Sequence, residues 1–378
     1  MTVVDKPNVS IIIDNYNYGH FLADAIDSAL DQTFPRTEVI VVDDGSTDDS
    51  VEVIKRFGER VVPIIKPNGG QASAFNAGFL RSEGEIIIFL DADDILLRDA
   101  CAEAWGALAD PRVSRAYWPM HVVDMLGRPT GELTNHDLPE GDLSERVLAG
   151  GPYMYRWSPT SGNAWRRTFL EAVLPVPEAA FTNYVDNYLS ALSPLHGTHV
   201  ALGPLACWRS HKSNETKESV RVSSFLERLE AWTKRFDACL AATRDHCSQL
   251  GLAFDEDRWR SNSWFHRLRR AVAVIDTRIP AGTRFILVDG DSWETGGTID
   301  GRQALRPMER DGAYWGRPPD GAVAVAELER MRDAGARFLA ISWTCWWWLE
   351  HYDGLKDWLE RHAEALDATD DIRIYGLG

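Results

Sequence analysis

The stretch EIIIFLDADD (85–94) runs five apolar residues into three carboxylates within four positions. A short, β-branched and uninterrupted apolar run is what a parallel strand covered on both faces requires. Three similar runs precede it: VSIII (9–13), EVIVVDD (38–44) and VVPII (61–65). Between them apolar residues recur at three and four, as Phe21, Leu22, Ala25, Ile26, Ala29 and Leu30 in one segment and Ala72, Phe75 and Phe79 in another. The order βαβαβαβ predicts a mostly parallel sheet with right-handed crossovers, whose ligands bind at the carboxyl ends of the strands. Asp14, Asp43, Asp44, Asp91 and Asp93 all fall at such ends.

In an extended backbone, residues two apart project to one side, so Asp91 and Asp93 can face one ligand with Ala92 between them. Two converging carboxylates repel unless a cation or hydroxyls lie between them. A hard divalent ion, Mg²⁺ or Mn²⁺, takes one or two protein carboxylates and completes its shell with substrate phosphate and water. Asp94 reads differently, as the cap of a helix beginning near Leu97.

The 378 residues exceed what one core usually organises, so two domains, or one large domain with an extension, are expected. Fifty-seven Asp and Glu against forty Lys and Arg give a net charge of -17. So acidic a surface repels nucleic-acid backbones and leaves only local basic patches for peripheral contact with the inner face of a membrane. Five scattered cysteines with no CxxC pair read as reduced thiols in a cytoplasmic protein. The N-terminus shows no leader pattern, and no window approaches about twenty apolar residues.

Three segments are expected: 1–216 with the acidic strand ends, a helical segment 217–277, and a small α/β domain 278–378. In the first, RAYWPMHVVDMLGRPTGE (115–132) reads as a hairpin around Gly127. In the third, WWWLEHYDGLKDWLERHAEAL (346–366) reads as a helix, and VDGDSW (288–293) as an acidic strand end. Consecutive tryptophans cannot all face one side of a helix, so some of Trp343, Trp346, Trp347, Trp348 and Trp358 must meet a surface other than their own core.

VSIIIDNYNYGHFLADAIDSALDQTF (9–34), VIVVDDGSTDDS (39–50), NGGQASAFNAGF (68–79) and GEIIIFLDADD (84–94), in this order and spacing, closely resemble the N-terminal half of family 2 glycosyltransferases of GT-A fold. The resemblance spans about residues 8–215. It implies an inverting, metal-dependent transferase moving a sugar from a nucleotide-diphosphate donor, UDP-sugar favoured, to a hydroxyl of a glycan or glycolipid in surface polysaccharide assembly. The fold it implies is a nucleotide-diphospho-sugar transferase sheet with the helical segment and the small α/β extension attached.

Residue roles follow from the same resemblance. Tyr16 packs on the base, Asp44 bonds its imide nitrogen, and Asp14 lies where the first strand meets it. Asn76, Gly69 and Gly70 border the donor. Asp91 faces ribose and metal, and Asp93 ligates Mn²⁺ or Mg²⁺. SPTSGNAWRRTFLEAVLPVPE (158–178) resembles the loop under donor sugar and acceptor, with Ser161, Gly162 and Asn163 at its bend. In FTNYVDNYLSALSPLHG (181–197) Asp186 takes the place of the catalytic base, and in CWRSHKSNET (207–216) Arg209 and His211 meet diphosphate and metal. The family often carries Pro or Thr where this chain has Asp14. A second reading, a non-catalytic nucleotide-sugar sensor or scaffold, keeps the fold and drops catalysis; association as a homo-oligomer is open under either.

Overall fold

The computed structural model describes residues 6–211, 224–310 and 313–378. The chain forms two compact units, Met1–Lys217 with Arg235–Arg260, and Glu218–Lys234 with Ser261–Gly378.

In order, the first unit contains β1 (Val9–Asn15), α1 (Gly19–Leu30), β2 (Thr37–Asp43), α2 (Ser50–Phe57), β3 (Val62–Ile65), α3 (Gln71–Arg81), β4 (Ile86–Asp91), β5 (Ile95–Leu96), α4 (Ala100–Ala107), β6 (Val113–Tyr117), β7 (Met120–Val123) and β8 (Pro129–Leu133). Then follow α5 (Ser144–Gly150), β9 (Asn163–Arg166), α6 (Arg167–Val173), α7 (Val185–Leu192), β10 (Thr198–Ala201) and β11 (Ala206–Arg209). Seven strands form one sheet in the order β10-β6-β9-β4-β1-β2-β3, and β5-β11-β7-β8 form a second. The larger sheet is parallel except where β9 runs against β4 and β6. The expected hairpin is β7–β8, turning through Gly127 at φ 74°.

Alternation along the strands divides the core in two. Val9, Ile11 and Ile13 of β1 and Ile86, Ile88 and Leu90 of β4 pack with Leu22 and Ile26 of α1. Ile12, Ile87 and Phe89 face the other way, onto Phe75 of α3 and Leu189 of α7. With both faces covered, these strands need continuous apolar sequence. β3 differs: its residues alternate half-buried and exposed, and Pro63 lies in it, because β3 is the edge of the sheet.

Gly78 lets α3 lie close on β1: a Cβ there would stand 2.3 Å from Ile12 Cγ2. Gly78→Ala therefore destabilises by about 1–3 kcal/mol through overpacking, against a helix gain of about 0.5–1 kcal/mol. A lower urea midpoint at unchanged m-value is the expected result.

The helices of 217–277 do not make a third body. They are α8 (Phe225–Leu250), α9 (Glu256–Asn262) and α10 (Trp264–Arg278). Cys239 of α8 is buried in the same core as Phe75 and Leu189. Phe225 and Leu229 of α8 and Leu268 and Ile275 of α10 belong to the core of the second unit. Amphipathic helices follow the apolar surface that covers them, and here two surfaces do so. The expected boundary at 216/217 lies outside the described residues.

The second unit continues with β12 (Arg284–Val288), β13 (Thr298–Ile299), β14 (Arg302–Leu305), β15 (Glu309–Arg310), β16 (Ala313–Tyr314), α11 (Gly321–Asp333), β17 (Phe338–Ser342), α12 (Trp348–His351), α13 (Leu355–His362), β18 (Ala363–Ala368) and β19 (Ile372–Leu377). Its sheet runs β13-β14-β12-β17-β19-β18. The helix expected over 346–366 is two short helices and a strand. Gly354, at φ 79°, separates α12 from α13, and β18 pairs antiparallel with β19. Trp348 and Trp358 are core, whereas Trp346 and Trp347 are half-buried under the guanidinium groups of Arg373 and Arg317. In VDGDSW, Asp289 accepts the N–H groups of Asp291 and Trp293, which closes the turn on itself.

No helix among the described residues is long and apolar enough to cross a membrane.

Candidate active site

β4, β1 and β2 are neighbours, and their registers set Asp14 beside Asp91 and Asn15 beside Asp43. The acidic ends thus meet where the sheet order reverses direction, the place where an open α/β sheet has its crevice. A cleft of about 390 Å³ lies there, lined by Asp14, Tyr16, Asp44, Gln71, Asp91, Asp93 and Asp186 among others.

The carboxylates converge. One oxygen each from Asp91, Asp93 and Asp94 lies within 4.8 Å of the others. The chain turns directly after β4, with Asp94 N–H donating to the Asp91 carbonyl (3.0 Å). Asp94 is not a helix cap: it is 1% exposed, and Asp99 is the residue that precedes α4. Its Oδ1 accepts the Arg209 N–H (3.0 Å), while its Oδ2 has no hydrogen-bond partner. The hydrogen bond comes from β11, which pairs with the β5 strand directly after Asp94, and the local sequence does not disclose that pairing.

Burial first, and then the neighbouring carboxylates Asp14, Asp94, Asp93 and Asp186, push Asp91 well above the usual carboxylate range. Burial and Asp93 do the same to Asp94. Asp14 is pushed up to about 7, by burial foremost and by Asp93. These are like charges gathered in one poorly hydrated place. The three converging donors are all oxygen, one of them, Asp94, has an unpartnered Oδ2, and Oδ1 of the neighbouring Asp14 is unpartnered too. This donor set suits a hard divalent cation.

Asp93 Oδ2 meets His211 Nε2 at 2.9 Å, joining two of the expected metal-site residues. Arg209 does not line the cleft. Its Nε donates to the Asp93 carbonyl (2.9 Å), Nη1 to the Met125 carbonyl (3.0 Å) and Nη2 to Asp24 (2.8 Å). It fixes the backbone that carries the aspartates. Residues 212–216 of the motif lie outside the described residues.

Tyr16 lines the cleft and is 46% exposed, open to a flat partner. Asp44 accepts the N–H groups of Gly69 (3.0 Å) and Gly70 (2.7 Å) and pairs with the Lys66 ammonium. Gly70 is at φ 84°, and a Cβ there would stand 2.5 Å from Thr182 Cγ2. Asn76 stands apart: its amide clips Val176 and Glu178, and it is not among the lining residues.

Asp186 enters on the first turn of α7, and the Trp157 indole N–H points at its Oδ2 from 3.4 Å. Burial raises its pKa. Tyr184 precedes α7 with φ 67°, and the Arg235 guanidinium lies 3.4 Å from its ring centroid. Sequence reading missed Gln71. Its Nε2 donates to Asp91 Oδ1 (3.1 Å), while its Oε1 accepts the N–H groups of Tyr184 (3.1 Å) and Val185 (3.4 Å). The one local signal is an amide at the first position of a helix, directly after a glycine pair. Ser161 Oγ accepts the Asp91 N–H at 3.1 Å.

Comparison with known proteins agrees with this geometry. The family described as Glycosyl transferase family 2 matches residues 10–136, which hold the acidic strand ends. An uncharacterized glycosyltransferase of Nostoc sp. is 33% identical over 226 residues, covering 58% of this chain and 70% of that one. Chondroitin synthase of Pasteurella multocida is 47% identical over 97 residues, covering 25% of this chain and 10% of its own. Among solved structures, a mannosyltransferase from Pyrobaculum calidifontis, in complex with GDP-Man and Mn²⁺, aligns with a TM-score of 0.45 at 18% identity, over 73% of this chain and 77% of that chain. Through its first unit, with the mostly parallel GT-A sheet and its acidic strand ends, the chain belongs to glycosyl transferase family 2.

Proposed function

We propose that the chain is an inverting transferase that moves a sugar from a nucleotide-diphosphate donor, a UDP-sugar in first place, to a hydroxyl of a glycan or glycolipid. The observation that carries this reading is the cleft itself, where Asp91 and Asp93, with Asp94 buried next to them, face the same space as Asp186 from a separate helix. Tyr16 offers its open face to the base, and Asp44 holds the Gly69–Gly70 backbone against the donor side. Asp91, Asp93 and Asp94, with His211 on Asp93, are the residues that would hold Mn²⁺ or Mg²⁺. When bound, such an ion supplies positive charge opposite the departing diphosphate.

Asp186 holds a carboxylate ready for the proton of the acceptor hydroxyl, and Trp157 fixes the orientation of that carboxylate. With the clustered aspartates assigned to the cation and Asp186 to the base, the reaction is a direct displacement with inversion at the sugar carbon. Tyr184, which lines the cleft beside Asp186, offers an aromatic ring on the acceptor side. The similarity to a polysaccharide synthase of Pasteurella multocida supports a place in polysaccharide assembly.

A panel of nucleotide sugars assayed with the full chain tests this. UDP release from a UDP-sugar should require Mn²⁺ or Mg²⁺, stop with EDTA and return when the ion is restored. The same donor should raise the melting temperature. Binding without cation-dependent UDP release would instead identify a sensor or scaffold, and no response to any donor would overturn the reading.

A further inference from the structure

Asp14 has no part in the proposed transfer, yet it is the most unusual group in the cleft. The β1–β4 register sets it beside Asp91. Its carboxyl interacts with the Gln71 and Asp91 side chains and feels the charge of Asp93, and its Oδ1 has no hydrogen-bond partner. It is not one of the three residues whose oxygens converge within 4.8 Å; it lines the cleft next to Asp91 and adds charge there. A second oxygen, Asp94 Oδ2 on a side chain 1% exposed, is also unpartnered. Of the nearby basic groups, His211 meets Asp93 (2.9 Å), Arg209 gives Asp94 its backbone N–H while its guanidinium goes to Asp24 and to two carbonyls, and Lys66 pairs with Asp44.

A divalent ion in such a site ordinarily gains much of its opposing charge from substrate phosphate, with only one or two protein carboxylates. Here four carboxylates gather before any phosphate arrives, and they repel one another until a positive charge joins them. We propose that the donor-free protein already holds a divalent cation at Asp91, Asp93 and Asp94, and that Asp14 supplies the additional negative charge that retains it. The inference rests on the proposed metal reading of those three residues. It gives binding an order, cation first and nucleotide sugar second.

The test is a titration of the full chain with MnCl2 alone, followed by calorimetry or by loss of the free-Mn²⁺ electron paramagnetic resonance signal. The wild type should bind Mn²⁺ without nucleotide, and Asp14→Asn should bind it about tenfold or more weakly. Removing one of several buried like charges should also make metal-free Asp14→Asn melt above wild type, while the rise in melting temperature on adding Mn²⁺ shrinks. Asp14→Thr provides the same comparison should the amide variant fold poorly. Wild type that takes up Mn²⁺ only once UDP is present would overturn this inference and leave the transferase reading standing. So would Asp14→Asn that binds Mn²⁺ like wild type but loses discrimination between UDP and GDP, since that marks a reader of the base. No Mn²⁺ uptake with or without UDP would overturn both.

Discussion

Asp186→Asn lowers turnover by about a hundred- to ten-thousandfold, the usual contribution of a positioned general base, while UDP binding stays nearly unchanged. The amide keeps the shape of the carboxylate, and its oxygen can still receive the Trp157 indole N–H, so the fold and the cleft persist. What disappears is a lone pair basic enough to take a proton. The pH profile separates this role from a structural one. Burial holds Asp186 above the usual carboxylate range, and the base works only when ionised, so wild-type turnover rises with pH through that raised value. The residual activity of Asp186→Asn should lack this ascending limb. Unchanged turnover in the variant would remove Asp186 from the chemistry.

A second large effect concerns stability. In the metal-free protein Asp14 titrates at about 7 instead of 3.8, and Asp91 and Asp94 are raised with it. Between those two values the folded chain binds protons that the unfolded chain has released. Stability therefore falls as pH rises through this window. Each tenfold change in proton affinity is worth about 1.4 kcal/mol, so a chain kept in EDTA should melt several degrees higher at pH 5 than at pH 8. Added Mn²⁺ should restore much of the loss at pH 8, because a cation neutralises what protons no longer do. A melting temperature in EDTA that climbs steadily from pH 5 to pH 8 would show that these carboxylates are solvated and do not repel.

The parts of this molecule that sequence discloses are those in which neighbouring residues share one cause. In β1 and β4 an unbroken apolar run and two covered faces are the same fact, so the strands and their acidic ends could be read directly. Asp94 could not. It is buried, and Arg209, whose N–H holds it, lies 115 residues away. Gln71 was hidden for a similar reason: its partners Asp91 and Tyr184 come from distant segments, and nothing near Gln71 announces them. Asn76 is the converse case, since its place in a legible motif suggested the donor, while in the structure its amide secures Val176. In the tail, spacing favoured one long helix, but Gly354 stops it and β19 recruits the remainder as a strand.

The single amide of Gln71 spans the two sides of the cleft, with one end on Asp91 and the other on the backbone that launches α7. A chimera that took only the donor side or only the acceptor side proposed above from another chain would treat the two as separable cassettes. In this enzyme a grafted 181–197 loop would bring its own Tyr184 counterpart to an amide that also sets the carboxylate across the gap. Exchanging either cassette alone would disturb the other, and engineering that retains both preferences must transplant Gln71 together with its two partners.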